Sequence, residues 1–203
     1  MPQRVDGRRT DTRERIRVTA LEMFTTQGYE LTTLAQVADR LGITRPAVYH
    51  HFRSKEDLLT NSYDRLLPAL EELVASLRTA TPSRAGALRE LSALLHGEDG
   101  PLLVCARVNE HAMRGIPAAS ALLNRLEDLT RLLAAGTDVD GLMRGRLAVN
   151  ALVMAAGRGD QLGGTTDQRS ATALTIASEL LGIPATPNTY GDHRVPEPGF
   201  ERR

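Results

Sequence analysis

Residues 28–55 read GYELTTLAQVADRLGITRPAVYHHFRSK, and this stretch decides how the N-terminal part of the chain folds. Thr33 and Gln36 have the spacing of a capping box, which predicts the start of a short helix. Gly42 is a typical residue for ending that helix, and a second short helix is predicted to begin after Thr44. Two short helices around a glycine turn are typical of a helix-turn-helix motif.

Apolar residues at helical spacing predict further helices on both sides of this motif. One extends from about Asp11 to Thr26, and a long one begins at Ser54 and ends near Arg78. Others are expected near Ser83–His96, Leu102–Arg114, Pro117–Ala135, Val139–Gly157 and Asp167–Leu181. No alternating run of β-branched residues is long enough for a strand, so the fold is expected to be all-α.

The composition favours a cytoplasmic globular protein. Hydrophobic residues make up 41% of the 203 residues, which is enough to build a core. No segment reaches the roughly 18–20 consecutive apolar residues of a membrane span, and the first residues lack the apolar segment of a signal peptide. The single cysteine excludes an internal disulfide.

The formal net charge is zero, but the basic residues gather at the N-terminus. They are Arg4, Arg8, Arg9, Arg13, Arg15 and Arg17. For a nucleic-acid partner the distribution of charge matters more than the total. The basic arm from Arg4 to Arg13 is therefore expected to reach a minor groove next to the main contact.

A helix-turn-helix lays its second helix in the major groove and leads with the N-terminal residues of that helix. Those residues are Thr44, Arg45, Pro46 and Ala47. Arg45 has the fork that pairs with O6 and N7 of guanine, whereas Pro46 and Ala47 offer apolar contact to a thymine methyl group. The alternative for Arg45 is a solvated surface charge. Because one such helix reads few bases, a dimer on double-stranded DNA is expected.

The same stretch resembles the DNA-binding domain of the tetracycline-repressor (TetR) family of transcriptional regulators. The matching residues are Phe24, Gly28, Tyr29, Thr32, Thr33, Val37, Ala38, Leu41, Gly42, Ile43, Val48, Tyr49, His51, Phe52 and Ser54–Leu58. The resemblance covers about the first quarter of the chain. It implies a one-component repressor that binds a palindromic operator as a homodimer and is released by a small-molecule effector. The alternatives are an activator, a regulator controlled by a protein partner, or an enzyme or carrier on the same fold.

The resemblance also implies a division of the chain. Residues 1–54 would form the DNA-binding domain with its basic arm, and residues 55–183 a helical ligand-binding and dimerisation domain. Residues 184–203 contain four prolines and few apolar residues, so a tail that is disordered or loosely draped is expected there. The resemblance further assigns phosphate contacts to Thr33, Tyr49, His50 and Lys55. These side chains are suitable phosphate partners, although Tyr49 has packing in the core as its alternative.

Two apolar stripes in the C-terminal half are each interrupted by an asparagine. A polar group on a buried face needs a partner, which is either a ligand in a mostly apolar pocket or a neighbouring helix or water. The candidate pocket residues are Leu70, Cys105, Asn109, Met113, Leu147, Asn150 and Met154. Since these stripes carry no fixed charge, the expected effector is small and mostly apolar.

The last two predicted helices have apolar faces that suit either a dimer interface or the core of a monomer. The candidate interface residues are Leu152, Ala155, Leu174, Ala177 and Leu181. Catalysis, metal binding and a cofactor are not expected. Adjacent helical residues such as His50 and His51 point about 100° apart, and Cys105 and His111 lie on different helix faces.

Overall fold

The computed structural model describes residues 7–79, 83–134, 136–157 and 159–184, which contain helices and no strands. The helices are α1 (Gly7–Thr26), α2 (Leu34–Leu41), α3 (Arg45–His51), α4 (Lys55–Arg78), α5 (Arg84–His96), α6 (Gly100–Val108), α7 (Glu110–Met113), α8 (Pro117–Leu133), α9 (Val139–Gly157), α10 (Gly159–Leu162) and α11 (Thr166–Leu180). The all-α prediction is confirmed. No helix within these residues is long and apolar enough to cross a membrane.

Two helix predictions differ from the structure. Helix α1 begins at Gly7 rather than at Asp11, so part of the predicted basic arm is helical. The helix predicted over Leu102–Arg114 is divided at Asn109, whose backbone has φ −105° and ψ 31°. The first part of the arm and the tail from residue 185 onward lie outside the described residues.

The capping signals of the N-terminal region are confirmed. Thr33 Oγ1 accepts a hydrogen bond from the Gln36 N–H at 3.2 Å, and Gln36 Oε1 accepts one from the Thr33 N–H at 2.7 Å. Gly42 ends α2 with φ +65°, a left-handed conformation that glycine adopts without steric cost. The hydroxyl of Ser54 caps α4 by accepting from the Asp57 N–H at 3.1 Å.

Helices α1–α3 form a small head around one buried cluster. Its members include Ile16, Phe24, Val37, Val48 and Phe52, none of them more than 2% exposed. Burial of these apolar side chains is the main force that holds three short helices together. The cluster fixes which face of α3 points inward and therefore which face is presented to solvent.

The remaining helices form a bundle in which α4 packs on α8 and α9 packs on α11. Arg84 links the C-terminal ends of α8 and α11, because its guanidinium donates to the carbonyls of Leu133 and Leu181 at 2.6 Å and 3.1 Å. Carbonyls at the end of a helix have no partner within the helix, so these bonds stabilise both ends. Two helices connect head and bundle: α4 by chain continuity, and α6 because it packs along α1.

Candidate nucleic-acid interface

The N-terminal end of α3 is presented to solvent on a rigid base. Thr44 caps the helix, its Oγ1 accepting a hydrogen bond from the Ala47 N–H at 3.4 Å. Arg45 and Pro46 are the first two helical residues, and both are exposed, whereas Val48 is completely buried. This geometry suits insertion of the end of α3 into a groove of DNA.

Arg45 lies across the turn from Asp39, with 3.6 Å between Arg45 Nη2 and Asp39 Oδ2. The two side chains are 64% and 63% exposed. Exposed ion pairs of this kind contribute little free energy, so a guanine can replace Asp39 as the partner of Arg45 at small cost. The arginine fork is thus held near the groove-facing end of α3 without being fixed there.

Three of the four residues proposed to contact phosphate lie on the surface of the head. Thr33, Tyr49 and His50 are exposed. Tyr49 is 51% exposed, so the alternative that it packs in the core is wrong. The ring of His50 lies 5.5 Å from that of His51, and the described residues contain no cluster of three or more metal-ligating side chains. The phosphate contacts themselves stay a prediction.

The fourth residue, Lys55, is held by Tyr29. Its ammonium donates to the Tyr29 carbonyl at 2.6 Å and lies 4.2 Å from the centre of the Tyr29 ring. The ring is buried and packs edge-to-face on Phe24, with 5.0 Å between centroids. An ammonium has three N–H donors, so Lys55 keeps donors for a phosphate while its position is set from the protein side.

Tyr29 also binds Glu56, to which its hydroxyl donates at 2.6 Å. This hydrogen bond holds the pKa of Glu56 below its usual value, with the nearby Lys55 charge acting in the same direction. Burial, together with the hydrogen bond to Glu56, raises the pKa of the Tyr29 phenol well above its usual value. The phenol is therefore a donor, and Glu56 a charged acceptor, throughout the neutral range.

Leu70, Cys105 and Met113 are completely buried, and the Tyr63 hydroxyl lies 3.6 Å from Met113 Sδ. Burial raises the pKa of the Cys105 thiol to about 12, so the thiol stays protonated at neutral pH. Asn109, the fourth candidate from this region, binds backbone groups rather than facing a cavity. None of the three grooves described below is lined by any of these residues.

The remaining candidate pocket residues lie on α9. Asn150 Oδ1 accepts a hydrogen bond from Arg107 Nε at 3.2 Å. Leu147 is 47% exposed and Met154 is 51% exposed. Both lie on the outer face of the helix, where Met154 lines an open groove between α9 and α11 and Leu147 lines none of the three grooves described below. Their role in ligand binding stays a prediction. Sequence periodicity showed that they share a stripe but not what covers it.

The predicted dimer interface is also corrected. Four of its five residues are buried within a single protomer, each at most 3% exposed: Leu152, Ala155, Ala177 and Leu181. The fifth, Leu174, is partly buried against the same core. These side chains pack α9 against α11 and the rest of the bundle, so they are not available to a second chain.

The surface of the described residues includes several open grooves. One, of about 660 Å³, lies between α4 and α5. Its apolar lining is Leu66, Ala69, Leu73, Ala93 and Leu94, and its charged lining is Glu72, Glu90, Glu98 and Asp99. A groove of about 310 Å³ lies between α9 and α11, and one of about 340 Å³ lies where α1 meets α6 and α9.

Sequence reasoning missed two residues that organise the head. Tyr29 was identified only as a matching residue, although its N–H, carbonyl and hydroxyl all have partners outside its own turn. Asn109 was assigned to a ligand pocket. The signal available for Asn109 was its polarity within an apolar stripe, which indicates that a partner exists but does not identify it.

A capped, solvent-facing helix that follows a glycine turn on a buried three-helix base has the architecture of a helix-turn-helix motif. Residues 16–61 match the family model described as bacterial regulatory proteins, tetR family. The N-terminal part of the chain is thus similar to the tetR family.

The regulator TcmR of Streptomyces glaucescens is 28% identical over 139 residues, which cover 68% of this chain and 57% of TcmR. The repressor KstR2 of Mycobacterium tuberculosis is 36% identical over 92 residues, which cover 45% of this chain and 44% of KstR2. The chain thus spans less than two thirds of the length of these curated relatives.

Solved structures extend the likeness to the whole fold. Mycobacterium smegmatis AmtR aligns with a TM-score of 0.59 at 21% identity and covers 92% of both chains. The structure of Mycobacterium tuberculosis KstR2 also aligns with a TM-score of 0.59, at 19% identity, over 88% of this chain and 95% of that one. At these identities the match shows that the fold is shared.

Proposed function

We propose that the chain is a cytoplasmic one-component transcriptional repressor that binds palindromic operator DNA as a dimer and releases it when a small molecule binds the C-terminal bundle. The observation that carries the proposal is the exposed N-terminal end of α3, with Arg45 at its first position, inside the segment that matches the family model. No catalytic step is proposed, since the Cys105 thiol is buried and protonated.

The proposed dimer uses the outer face of α9. Met143, Leu147 and Met154 on α9 and Ile176 on α11 are between 43% and 54% exposed. A contiguous apolar face of this kind is typical of an interaction surface. A second copy of the same face would cover it in a two-fold arrangement. The two heads of such a dimer can each bind one half-site of a palindrome.

The proposed effector site is the groove between α4 and α5. Its volume of about 660 Å³ lies within the usual range for small-molecule sites. The apolar floor includes Leu66 and Leu73, whereas Glu72, Glu90 and Glu98 are all acidic. A neutral or cationic amphipathic molecule suits this lining, and an anion would be repelled. The sequence predicted a small and mostly apolar effector. The acidic lining of the groove adds that the effector is neutral or cationic.

The proposed coupling runs through α4. A ligand in the groove presses on Leu66 and Leu73, which belong to the helix whose first residue is Lys55. Movement of α4 would change the distance between the two α3 helices, and two heads on a stiff duplex tolerate little change. Thermodynamic reciprocity then requires that operator weaken ligand binding by the factor by which ligand weakens operator binding.

Selection from random-sequence duplex DNA tests the DNA-binding part. The full-length protein is expected to enrich a palindrome whose two half-sites have fixed spacing. Failure to enrich any sequence, under conditions in which the protein is folded, would contradict the proposal.

The effector part is tested with the selected palindrome. Its fluorescence anisotropy is followed while three aromatic compounds of similar size, one neutral, one cationic and one anionic, are titrated in. Release is expected with the neutral or cationic compound only. Ala93→Phe fills the groove from an exposed position and should abolish release without weakening DNA binding. Release that survives Ala93→Phe would show that the effector binds elsewhere.

A further inference from the structure

The side chain of Asn109 leaves the bundle at the break between α6 and α7 and reaches the head. Its Oδ1 accepts a hydrogen bond from the Tyr29 N–H at 2.8 Å. Its Nδ2 donates to the carbonyls of Phe24 and Cys105 at 2.9 Å and 3.1 Å. One amide thus joins the C-terminal end of α6 to the C-terminal part of α1 and the turn that follows it.

Helix α6 is tied to α1 near its other end as well. Arg17, which is 6% exposed, lies 3.9 Å from the carboxylate of Asp99, the residue that precedes α6. The same guanidinium is held by Glu14, to which its Nε donates at 2.9 Å. Because Asp99 faces Arg17 and Asn109 faces Phe24, the two helices run side by side in the same direction and are fixed near both ends of α6.

Tyr29 extends this connection to the start of α4. Its N–H binds Asn109, its carbonyl accepts from Lys55 at 2.6 Å, and its hydroxyl donates to Glu56 at 2.6 Å. The turn after α1 is therefore bound to α6 on one side and to α4 on the other. A relative shift of α4 and α6 cannot occur without stretching one of these bonds or moving the head.

We propose that Asn109 is the positioning residue that fixes the orientation of the DNA-binding head on the bundle, and that it thereby sets the half-site spacing the dimer accepts. The orientation part rests on geometry alone, whereas the spacing part rests on the proposed function. Asn109 acts through α1 and Tyr29 and is not itself a DNA contact. It makes α6 a second connection between bundle and head, beside α4.

The chemistry requires an amide at position 109. One atom accepts from an N–H while the other donates to two carbonyls, and a carboxylate can supply only the acceptor. Asn109→Asp therefore keeps the shape and removes the bonds to Phe24 and Cys105. Asn124→Asp is a matched control, because Asn124 Oδ1 accepts a hydrogen bond from Arg114 Nη1 at 2.6 Å and a carboxylate preserves that role. Asn109→Ala is a second variant that removes all three bonds without adding a charge.

The first measurement uses the palindrome that the wild-type protein selects, together with versions that have one base pair inserted or deleted between the half-sites. The wild-type protein should discriminate strongly against the altered spacings. Both Asn109 variants should reduce that discrimination by about tenfold while binding an isolated half-site as the wild type does. Asn124→Asp should behave as wild type. Unaltered discrimination in folded Asn109 variants would overturn the inference.

The second measurement needs no DNA. Spin labels on Leu31→Cys in the head and Val139→Cys in the bundle report the distance between the two parts, since these positions are 75% and 80% exposed. Cys105 is buried and is not expected to react with the label. When labelled protein is diluted with an excess of unlabelled protein, a labelled protomer pairs with an unlabelled one. The measured distances then lie within one protomer. The distribution should broaden in the Asn109 variants and not in Asn124→Asp; an unchanged width in the Asn109 variants would overturn the inference. A wild-type protein that selects no DNA would refute only the proposed function.

Discussion

Leu147 and Leu152 lie on different faces of α9: Leu147 is 47% exposed, whereas Leu152 is completely buried. Five residues along an α-helix correspond to a rotation of about 140° between side chains. The outer face, which carries Leu147, is the proposed dimer surface, and the inner face belongs to the protomer's own core. Substitutions at the two leucines should therefore have different consequences.

Charged residues on the outer face should separate the dimer without unfolding the protomer. The double variant Leu147→Arg/Met154→Arg is expected to be monomeric by light scattering and to bind the palindrome poorly, because like charges would meet across a two-fold interface. Its melting temperature, measured at low protein concentration, should stay near that of a wild-type sample at the same concentration. Leu31→Arg is the control, since Leu31 is 75% exposed in the head, away from α9. A dimeric double variant would exclude this face as the interface.

Truncation on the inner face should cost stability instead. Leu152→Ala removes a completely buried side chain, and such substitutions cost about 2–5 kcal/mol of unfolding free energy. Urea denaturation at fixed protein concentration measures the loss. The folded variant should remain dimeric by light scattering. If Leu152→Ala dissociates the dimer with little loss of unfolding free energy, Leu152 belongs to the dimer interface after all.

Arg45→Ala should reduce specificity for one position of the operator. The loss of a bidentate contact to guanine is expected to cost about 1–3 kcal/mol of binding free energy and to relax the preference at one G·C pair in each half-site. Binding profiles over randomised half-sites test this. Arg89→Ala removes the same charge from the exposed face of α5 and should leave the profile unchanged. An intact G·C preference in Arg45→Ala would remove Arg45 from the base-reading role.

Lys55→Ala should alter the salt dependence of DNA binding. If the Lys55 ammonium neutralises one phosphate, the slope of log K against log salt becomes shallower by about 0.9. Tyr49→Phe removes a hydroxyl but no charge, so it should weaken binding to all sequences and leave the slope as it is. A slope that does not change in Lys55→Ala would mean that Lys55 acts only by holding the Tyr29 carbonyl.

Tyr29→Phe should lower stability in a pH-dependent way. Folding lowers the pKa of Glu56 through the Tyr29 hydroxyl, so the stabilisation is complete above the usual glutamate range and disappears as pH falls through the lowered pKa. The difference in unfolding free energy between wild type and variant should therefore shrink in acid. Tyr63→Phe is the control, because its hydroxyl contacts sulfur rather than a carboxylate. A difference that stays constant into acid would exclude Glu56 as the charged acceptor.

Local patterns were sufficient for the helices of the head. Thr33 with Gln36, Gly42, Thr44 and Ser54 act within a few residues of their own position, so their capping roles can be read from spacing. The same holds for the exposure of Arg45, which follows from its place at the start of a helix whose inner face is apolar. The break at Asn109 was not predictable in this way, because its partners lie about 80 residues away in the chain.

The sequence by itself determined the all-α fold, the helix-turn-helix and the set of residues at its reading end. These depend on caps, glycine turns and periodicity, which are short-range properties of the chain. The tertiary structure alone decided which face of α9 is core, where the Asn109 amide binds, and that Tyr29 connects α1, α4 and α6. Helix α9 is apolar on more than one face, so its periodicity does not specify the covered side. That choice is made when α9 packs against α11 and α6, a long-range arrangement that local spacing does not encode.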